Sequence, residues 1–491
     1  MKRYILAIDE GTTSERILLF DAKKNEIVDI EQAKLACDYP FNGWVEQDAE
    51  EIFNKTFNSL EKIVKRNKLT SANTYGIGIT NQRETTIAWN KKTGKVLAPA
   101  IVWQCRRTAD YCNKISEKDK SWLKQKTGLV LDAYFSATKM RWLLDHNKEV
   151  LALAKKGELA LGTVDAFLIY KLTKGEVFAT DATNASRTML CDLSAPLCYD
   201  PTLLKFFGIP QSALAEVRDN ISNFGTTTIL GQNFPIVASI GDQQSSLFGQ
   251  GCYRAGEAKC TYGTGAFVLV NQGNKLPTPN SKLLSTVAWH LNGKPTYALE
   301  GSVFNVGSTI ELFKNNLNLF NSLAELDSFE LSHDASSELY LVPAFTGLGA
   351  PYWAPNARGA ILGMTLNTTR KDILRAGLES FAYSVYDILA ELKTANIKIK
   401  GLSVDGGVSK NDYMLKFEAS LIGAPVTRAG SHEGTALGAI FLTGLGTGAY
   451  QSLDDLAELT QKAESFKPTL STREVTKLVA GWHDAVNRVI E

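Results

Sequence analysis

Little in this 491-residue sequence announces a metal or redox centre. Its seven cysteines are an odd count, and none stands in C-x-x-C spacing, so neither a disulfide framework nor a zinc site is expected. The five histidines are scattered singly and form no ligand cluster. No apolar run approaches the ~20 residues of a membrane span, and the run that follows Met1-Lys2-Arg3-Tyr4 is too short for a signal peptide. A net charge of +1 gives no reason to expect nucleic acid or an anionic membrane surface as partner. There is no Walker A motif, no G-x-G-x-x-G after a strand and no H-E-x-x-H. No linker, charge block or low-complexity tract interrupts the chain. What remains is an ordinary globular composition, 44% hydrophobic and 21% charged, in a chain too long for one core. The expectation is a reduced, cytoplasmic α/β protein of more than one domain.

The chain is organised around its opening. Ile5-Leu6-Ala7-Ile8 and Ile17-Leu18-Leu19-Phe20 are short aliphatic runs and read as buried strands. Between them lies Asp9-Glu10-Gly11-Thr12-Thr13-Ser14, a loop with a glycine for a tight turn and hydroxyl residues whose amides can converge on an anion. Asp9 is placed to hold the divalent cation that accompanies a polyphosphate. On these residues alone, an ordinary hairpin with a hydroxyl-rich turn is the favoured reading. A third strand is expected from about Ile27 to Leu35, then a helix capped by Asp48 with Glu51 in a capping box. A buried strand, Tyr75 to Thr80, delivers Asn81-Gln82-Arg83-Glu84-Thr85-Thr86 at its C-terminal end, where open α/β sheets place ligands. Another, Pro235 to Ile240, delivers Gly241-Asp242-Gln243-Gln244 at the start of a small-residue helix.

The opening pattern recurs at Glu257 to Val270, where Thr261-Tyr262-Gly263-Thr264-Gly265 separates two strand-like runs. Repetition of one element at the head of each half points to a duplicated domain, divided as residues 1–250 and 251–491. The second half offers a helix-like stretch at 303–314 and an amphipathic helix from about Lys371 to Leu392. It also offers a strand ending in Asp405-Gly406-Gly407, before a helix that opens near Asn411.

Transfer of phosphate between two substrates needs positioning, charge neutralisation and a carboxylate to take the acceptor's proton. Asp9, Glu84 and Asp242 are the carboxylates at strand ends. Spacing alone leaves Asp242 as either a general base or a helix N-cap. It leaves Arg83-Glu84 as either a polyol-binding fork or a surface ion pair. Trp103 and Tyr134 are either an apolar wall or plain core, and Arg106-Arg107 reads as a structural pair.

Six segments, taken together and in order, resemble the FGGY family of carbohydrate kinases. They are Asp9 to Ser14, Gly78 to Thr86, Ile101 to Arg107, Gly241 to Gln244, Thr261 to Gly265 and Pro343 to Trp353. The Arg83-Glu84 and Trp103 segments are most similar to the members that act on glycerol. The resemblance implies two actin-like, ribonuclease-H-like α/β domains with mixed sheets flanked by helices and an active site in the cleft between them. It implies an enzyme that phosphorylates glycerol to sn-glycerol 3-phosphate with Mg-ATP. Arg83, Glu84, Trp103, Tyr134, Asp242, Gln243 and Phe267 would meet glycerol, with Asp242 as general base. Asp9 and Asp242 would serve Mg²⁺. Thr12, Thr13, Ser14 and Arg16 would meet the phosphates, and Thr264, Gly307, Gly407 and Asn411 the nucleotide. A homo-oligomer, dimer or tetramer, is also implied. Three residues depart from the family's usual pattern: Glu10 and Glu311 stand where Gln is common, and Glu15 where Ser or Thr is. A carboxylate at Glu15 would repel phosphates unless its side chain points away. A kinase for a related polyol or ketose, and a weakly active nucleotide-binding protein on the same fold, stay open.

Overall fold

The computed structural model describes residues 2–278, 282–322, 325–326, 331, 338–392, 397–431, 433–460 and 462–491, without the side chains of 462 and 463. In the first half, β1 (Tyr4–Glu10), β2 (Ser14–Asp21) and β3 (Glu26–Lys34) form an antiparallel meander, followed by helix α1 (Ala49–Arg66). β4 (Thr74–Asn81) then returns parallel to β1. The hairpin β5 (Thr226–Ile229) and β6 (Gln232–Gly241) completes the sheet, with β6 parallel to β4. The spatial order is β5-β6-β4-β1-β2-β3. Helix α2 (Asp242–Gly249) leaves directly from the end of β6.

The second half repeats this plan. β7 (Glu257–Tyr262), β8 (Ala266–Gly273), β9 (Leu284–Leu291) and β10 (Lys294–Val303) are antiparallel neighbours, in the spatial order β9-β10-β8-β7. After helix α3 (Arg370–Ala390), β11 (Gly401–Gly406) pairs parallel to β7. Helix α4 (Asp412–Ile422) leads to β12 (Val426–Ala429), which pairs parallel to β11. Helix α5 (Gly434–Thr447), the edge strand β13 (Lys462–Phe466) and helix α6 (Thr472–Ile490) follow. Both sheets therefore place antiparallel strands beside two parallel ones, and each opens on the strand–turn–strand element that recurs in the sequence. The parallel strands of each sheet end at one edge, so Glu10, Asn81 and Gly241 finish together, as do Tyr262 and Gly406.

The central strands carry apolar side chains on both faces because both are covered. Leu6 and Ile8 of β1 pack with Ile52, Leu60 and Ile63 of α1, while Ile5 and Ala7 pack with Ala436, Ala439 and Ile440 of α5. Helix α5 belongs to the second half but covers the first sheet. Helix α2 of the first half packs Leu247 and Phe248 against Leu269 and Ala298 of the second. The two helices cross almost backbone to backbone. A Cβ on Gly438 would lie 2.0 Å from the Ser245 carbonyl oxygen, and one on Gly249 would lie 2.0 Å from that of Gly434.

Some expectations shift locally. Asp48 does cap α1, accepting from the Glu50 and Glu51 amides, but the capping is one-way rather than a reciprocal box. The stretch 303–314 divides into the end of β10, a short helix Gly307–Glu311 and a π-helical turn Leu312–Asn316. Helix α3 is buried around most of its circumference, with Arg375, Glu379 and Asp387 inside as well as Leu374, Leu378, Phe381, Val385 and Leu389. It lies between its sheet and α6, so one amphipathic face is not enough. Among the described residues no helix is long and apolar enough to cross a membrane.

The helix crossing generates a test. Gly438→Ala forces a methyl group into backbone, and overpacking of this kind costs about 1–3 kcal/mol. Calorimetry is expected to show a Tm several degrees below wild type; an unchanged Tm would contradict the close crossing.

Candidate active site

The C-terminal ends of β1, β4 and β6 bring three sequence-distant segments together. At the end of β1, Gly11 closes a tight turn by donating to the Ser14 carbonyl at 3.0 Å. Among the described residues, neither the Thr12 nor the Thr13 amide donates a backbone hydrogen bond, which leaves both for an anion. The Thr12 hydroxyl accepts from the Trp103 indole at 2.9 Å and donates to Gln82 at 3.3 Å. The β1–β2 loop is thus tied to the wall that carries Trp103 and Tyr134, whose rings sit 5.6 Å apart.

Glu15 turns away from this loop. Its carboxylate is buried on the far side, where it accepts from Ser59 of α1 at 2.6 Å. The repulsion its position raised therefore does not arise. Glu10 is also buried and accepts from Gln82 at 3.0 Å, while its second oxygen has no partner among the described residues. Burial raises the carboxyl pKa of Asp9, Glu10 and Glu15, that of Glu15 to about 7. At Asp9 the Arg16 guanidinium opposes the shift. Arg16 pairs with Asp9 and also reaches Glu433 at 2.5 Å, bridging to the second half.

At the end of β4, Arg83 is almost fully buried and sits among carboxylates. Its Nε lies 3.1 Å from Asp242 and 4.0 Å from Glu84. Its Nη1 donates to Glu300 at 2.7 Å and to Gln244 at 3.1 Å, and its Nη2 donates to Glu300 at 3.0 Å. A Cβ on residue 241 would stand 2.8 Å from the Arg83 side chain, so Gly241 is what lets the arginine lie across the head of α2. Glu84 takes a left-handed backbone conformation, φ +61°, that non-glycine residues adopt at a cost. Its carbonyl is held there by Thr86 and Ser136 at 3.1 Å each and by Lys139 at 3.3 Å. Burial lowers the Lys139 pKa to about 8. The Glu84 carboxylate accepts from Arg187 at 2.5 Å, and Arg187 reaches Glu300 at 3.2 Å. Arg83 and Glu84 are thus a buried network rather than a surface ion pair.

Asp242 is the first residue of α2, and Gly241 occupies the cap position, so the N-cap alternative does not hold. The Asp242 carboxylate is about 30% exposed and accepts from the Gln243 amide at 2.7 Å. Burial raises its pKa and Arg83 opposes the rise. Gln243 accepts from Lys259 of β7 at 2.5 Å. Phe267 and Glu300 share one face of the second sheet, since Phe267 stands opposite Ser302, two residues along β10 from Glu300.

The nucleotide candidates gather round the β7–β8 turn. The Gly307 amide donates to Gly263 at 3.1 Å and the Gly407 amide to Tyr262 at 3.1 Å. Asn411 caps α4, accepting from the Met414 amide at 3.0 Å. Glu311 is exposed and accepts from Asn315. Arg107 is structural, 3.8 Å from the Trp44 ring centroid and paired with Glu46 at 2.6 Å.

Four residues at the site escaped the sequence reading: Lys139, Arg187, Glu300 and Glu433. Glu300 had the clearest signal, a lone charge inside the strand Tyr297-Ala298-Leu299-Glu300-Gly301-Ser302-Val303. A carboxylate in such a run needs a buried partner.

Residues 4–249 match the N-terminal domain of the FGGY family of carbohydrate kinases, and residues 258–446 match its C-terminal domain. The chain belongs to this family. Among its relatives, the glycerol kinase of Deinococcus radiodurans is 46% identical over 490 residues, 99% of this chain and 97% of that one. The glycerol kinase of Desulforamulus reducens is 44% identical over 495 residues, 100% and 98% of the two chains. The crystal structure of Plasmodium falciparum glycerol kinase with ADP matches with a TM-score of 0.93 at 36% identity, covering 99% of this chain and 98% of that one. Gluconate kinase from Lactobacillus acidophilus matches with a TM-score of 0.87 at 20% identity, covering 99% and 98%, and shares the fold.

The buried Glu15 makes a measurable contribution to pH dependence. Its folded-state pKa of about 7 stands above the ordinary value of 4.5, so the folded protein holds the proton more tightly. Its contribution to stability is complete below the unfolded pKa and is lost as pH rises through about 7. The Glu15→Gln variant is expected to gain Tm relative to wild type at pH 8 and to gain less at pH 5. An equal difference at both pH values would contradict the buried, protonated carboxyl.

Proposed function

We propose that this protein transfers the γ-phosphoryl group of ATP to a terminal hydroxyl of glycerol, giving sn-glycerol 3-phosphate. The observation that carries this reading is the placement of Asp242 beside the Nε edge of Arg83, at the head of α2 and at the shared edge of three strands. The full-length similarity to glycerol kinases supports the choice of acceptor.

The residues divide the work. Arg83 and Glu84 offer a donor edge and an acceptor to the polyol hydroxyls, with Tyr134 and Gln243 beside them. Trp103 and Phe267 present apolar surface to its carbons. Asp242 accepts the proton of the attacking hydroxyl, and its burial keeps it more basic than an aspartate in water. The free amides of Thr12 and Thr13, with Ser14 and Arg16, receive the phosphates. Thr264, Gly307, Gly407 and Asn411 receive the rest of the nucleotide. Closure of the cleft keeps water from competing with glycerol.

Mg²⁺ fits this donor set. Among the described residues no group of three or more His, Cys, Asp or Glu forms a protein cage. Mg²⁺ is commonly held by one or two carboxylates plus phosphate oxygens and water, and Asp9 and Asp242 supply such carboxylates. When bound, it would neutralise charge developing on the transferred group. The domains are read as residues 1–250 and 251–491. A cytoplasmic homo-oligomer, dimer or tetramer, is the reading for the assembled enzyme, in keeping with the prevalence of closed symmetric assemblies.

Two variants test the assignment in an ATP-coupled assay. Asp242→Asn is expected to lower kcat by about 10²–10⁴-fold while glycerol still binds; wild-type turnover would remove Asp242 as base. Arg83→Ala is expected to raise the glycerol KM steeply, because buried polar groups lose their partner. An unchanged KM would remove Arg83 from the acceptor site.

A further inference from the structure

Arg83 has five N–H donors: two on an end edge, two on a side edge and one further hydrogen on Nη1. The end edge, formed by Nη1 and Nη2, is met by Glu300, whose two oxygens accept at 2.7 and 3.0 Å. The second Nη1 hydrogen goes to Gln244 at 3.1 Å. What remains is the side edge, formed by Nε and the outer hydrogen of Nη2; among the described residues it makes no hydrogen bond, and its Nε lies 3.1 Å from Asp242 and 4.0 Å from Glu84. A bidentate carboxylate on the end edge fixes the plane of the guanidinium and so decides where the side edge points. Glu300 is itself well placed to do this. Burial alone would raise its pKa, but Arg187 and Arg83 outweigh burial and hold it down at about 2, so it stays ionised. Arg187, fully buried, steadies it from the other side at 3.2 Å and leans on the rings of Tyr134 and Phe135.

We propose that Glu300 is a positioning residue for the acceptor: held in the second domain, it takes the end edge of Arg83 and leaves only the Nε–Nη2 edge to meet the substrate hydroxyls beside Asp242. The acceptor site in the first domain is thereby set by a carboxylate of the second. Glu300 touches no substrate; it acts through Arg83. This deepens the reading of the cleft as a glycerol site and rests on it.

The test uses the full chain and two variants. Glu300→Gln keeps the shape but weakens the two-point contact. Glu300→Asp keeps the charge, and so protects folding, but is one methylene too short to meet both Nη atoms. Each variant is expected to raise the glycerol KM about tenfold, the scale of one lost charge-assisted contact, while the ATP KM stays within twofold of wild type. A folded Glu300→Asp protein with a wild-type glycerol KM would overturn the proposal. A second readout needs no substrate. In nitrogen-15 NMR, the two Nη signals of Arg83, assigned by their loss in Arg83→Lys, are expected to be separate in wild type and to merge in Glu300→Gln as the guanidinium becomes free to rotate. Separate signals in both proteins would overturn the proposal. If wild type does not phosphorylate glycerol but the signals merge, the functional reading fails and the positioning of Arg83 by Glu300 stands.

Discussion

Two arginines and two glutamates, all withdrawn from water, meet where the halves of the molecule touch. Breaking a buried pair by removing one partner leaves an uncompensated charge, which costs about 3–5 kcal/mol. That penalty ties Arg83, Glu84 and Arg187 of the first half to Glu300 of the second. Much else depends on it. Glu84 accepts from Arg187 while its carbonyl is held in an unfavourable backbone conformation by three donors. Asp242 is an aspartate whose basicity is set between desolvation and the Nε of Arg83. The close crossing of α2 and α5 brings the sheets near enough for these contacts to form.

A second bridge lies beside the β1–β2 loop. Arg16 pairs with Asp9 beside the loop and with Glu433, just before α5, in the second half. Two sets of charges therefore join the two halves, one around Arg83 and Glu300 and one at Arg16 and Glu433 beside the β1–β2 loop. Both are formed by groups that also have chemistry assigned to them.

The fold was legible because each half carries the same strand, turn and strand, and because the loops follow apolar runs at strand ends. Arg83, Glu84 and Asp242 drew notice for that reason, but spacing left each a structural alternative, and only the family resemblance singled them out. Glu15 could not be resolved from sequence, since alternation along β2 tells which residues share a face but not which face looks onto the loop. Glu300, Arg187 and Lys139 were hidden differently. Each sits in or beside an otherwise ordinary strand or helix, and its partners come from segments up to 217 residues away. Local patterning reports which residues are buried, whereas pairing across the cleft depends on the packing of two sheets.

Phosphorylation of glycerol is the activity on which every assigned role rests. Phosphorus-31 NMR of the purified protein with ATP, Mg²⁺ and glycerol reads the products directly. Glycerol 3-phosphate and ADP are expected to appear in equal amounts, with little ADP when glycerol is left out. Consumption of ATP at the same rate without glycerol, or phosphorylation of gluconate or xylulose in preference to it, would contradict the account.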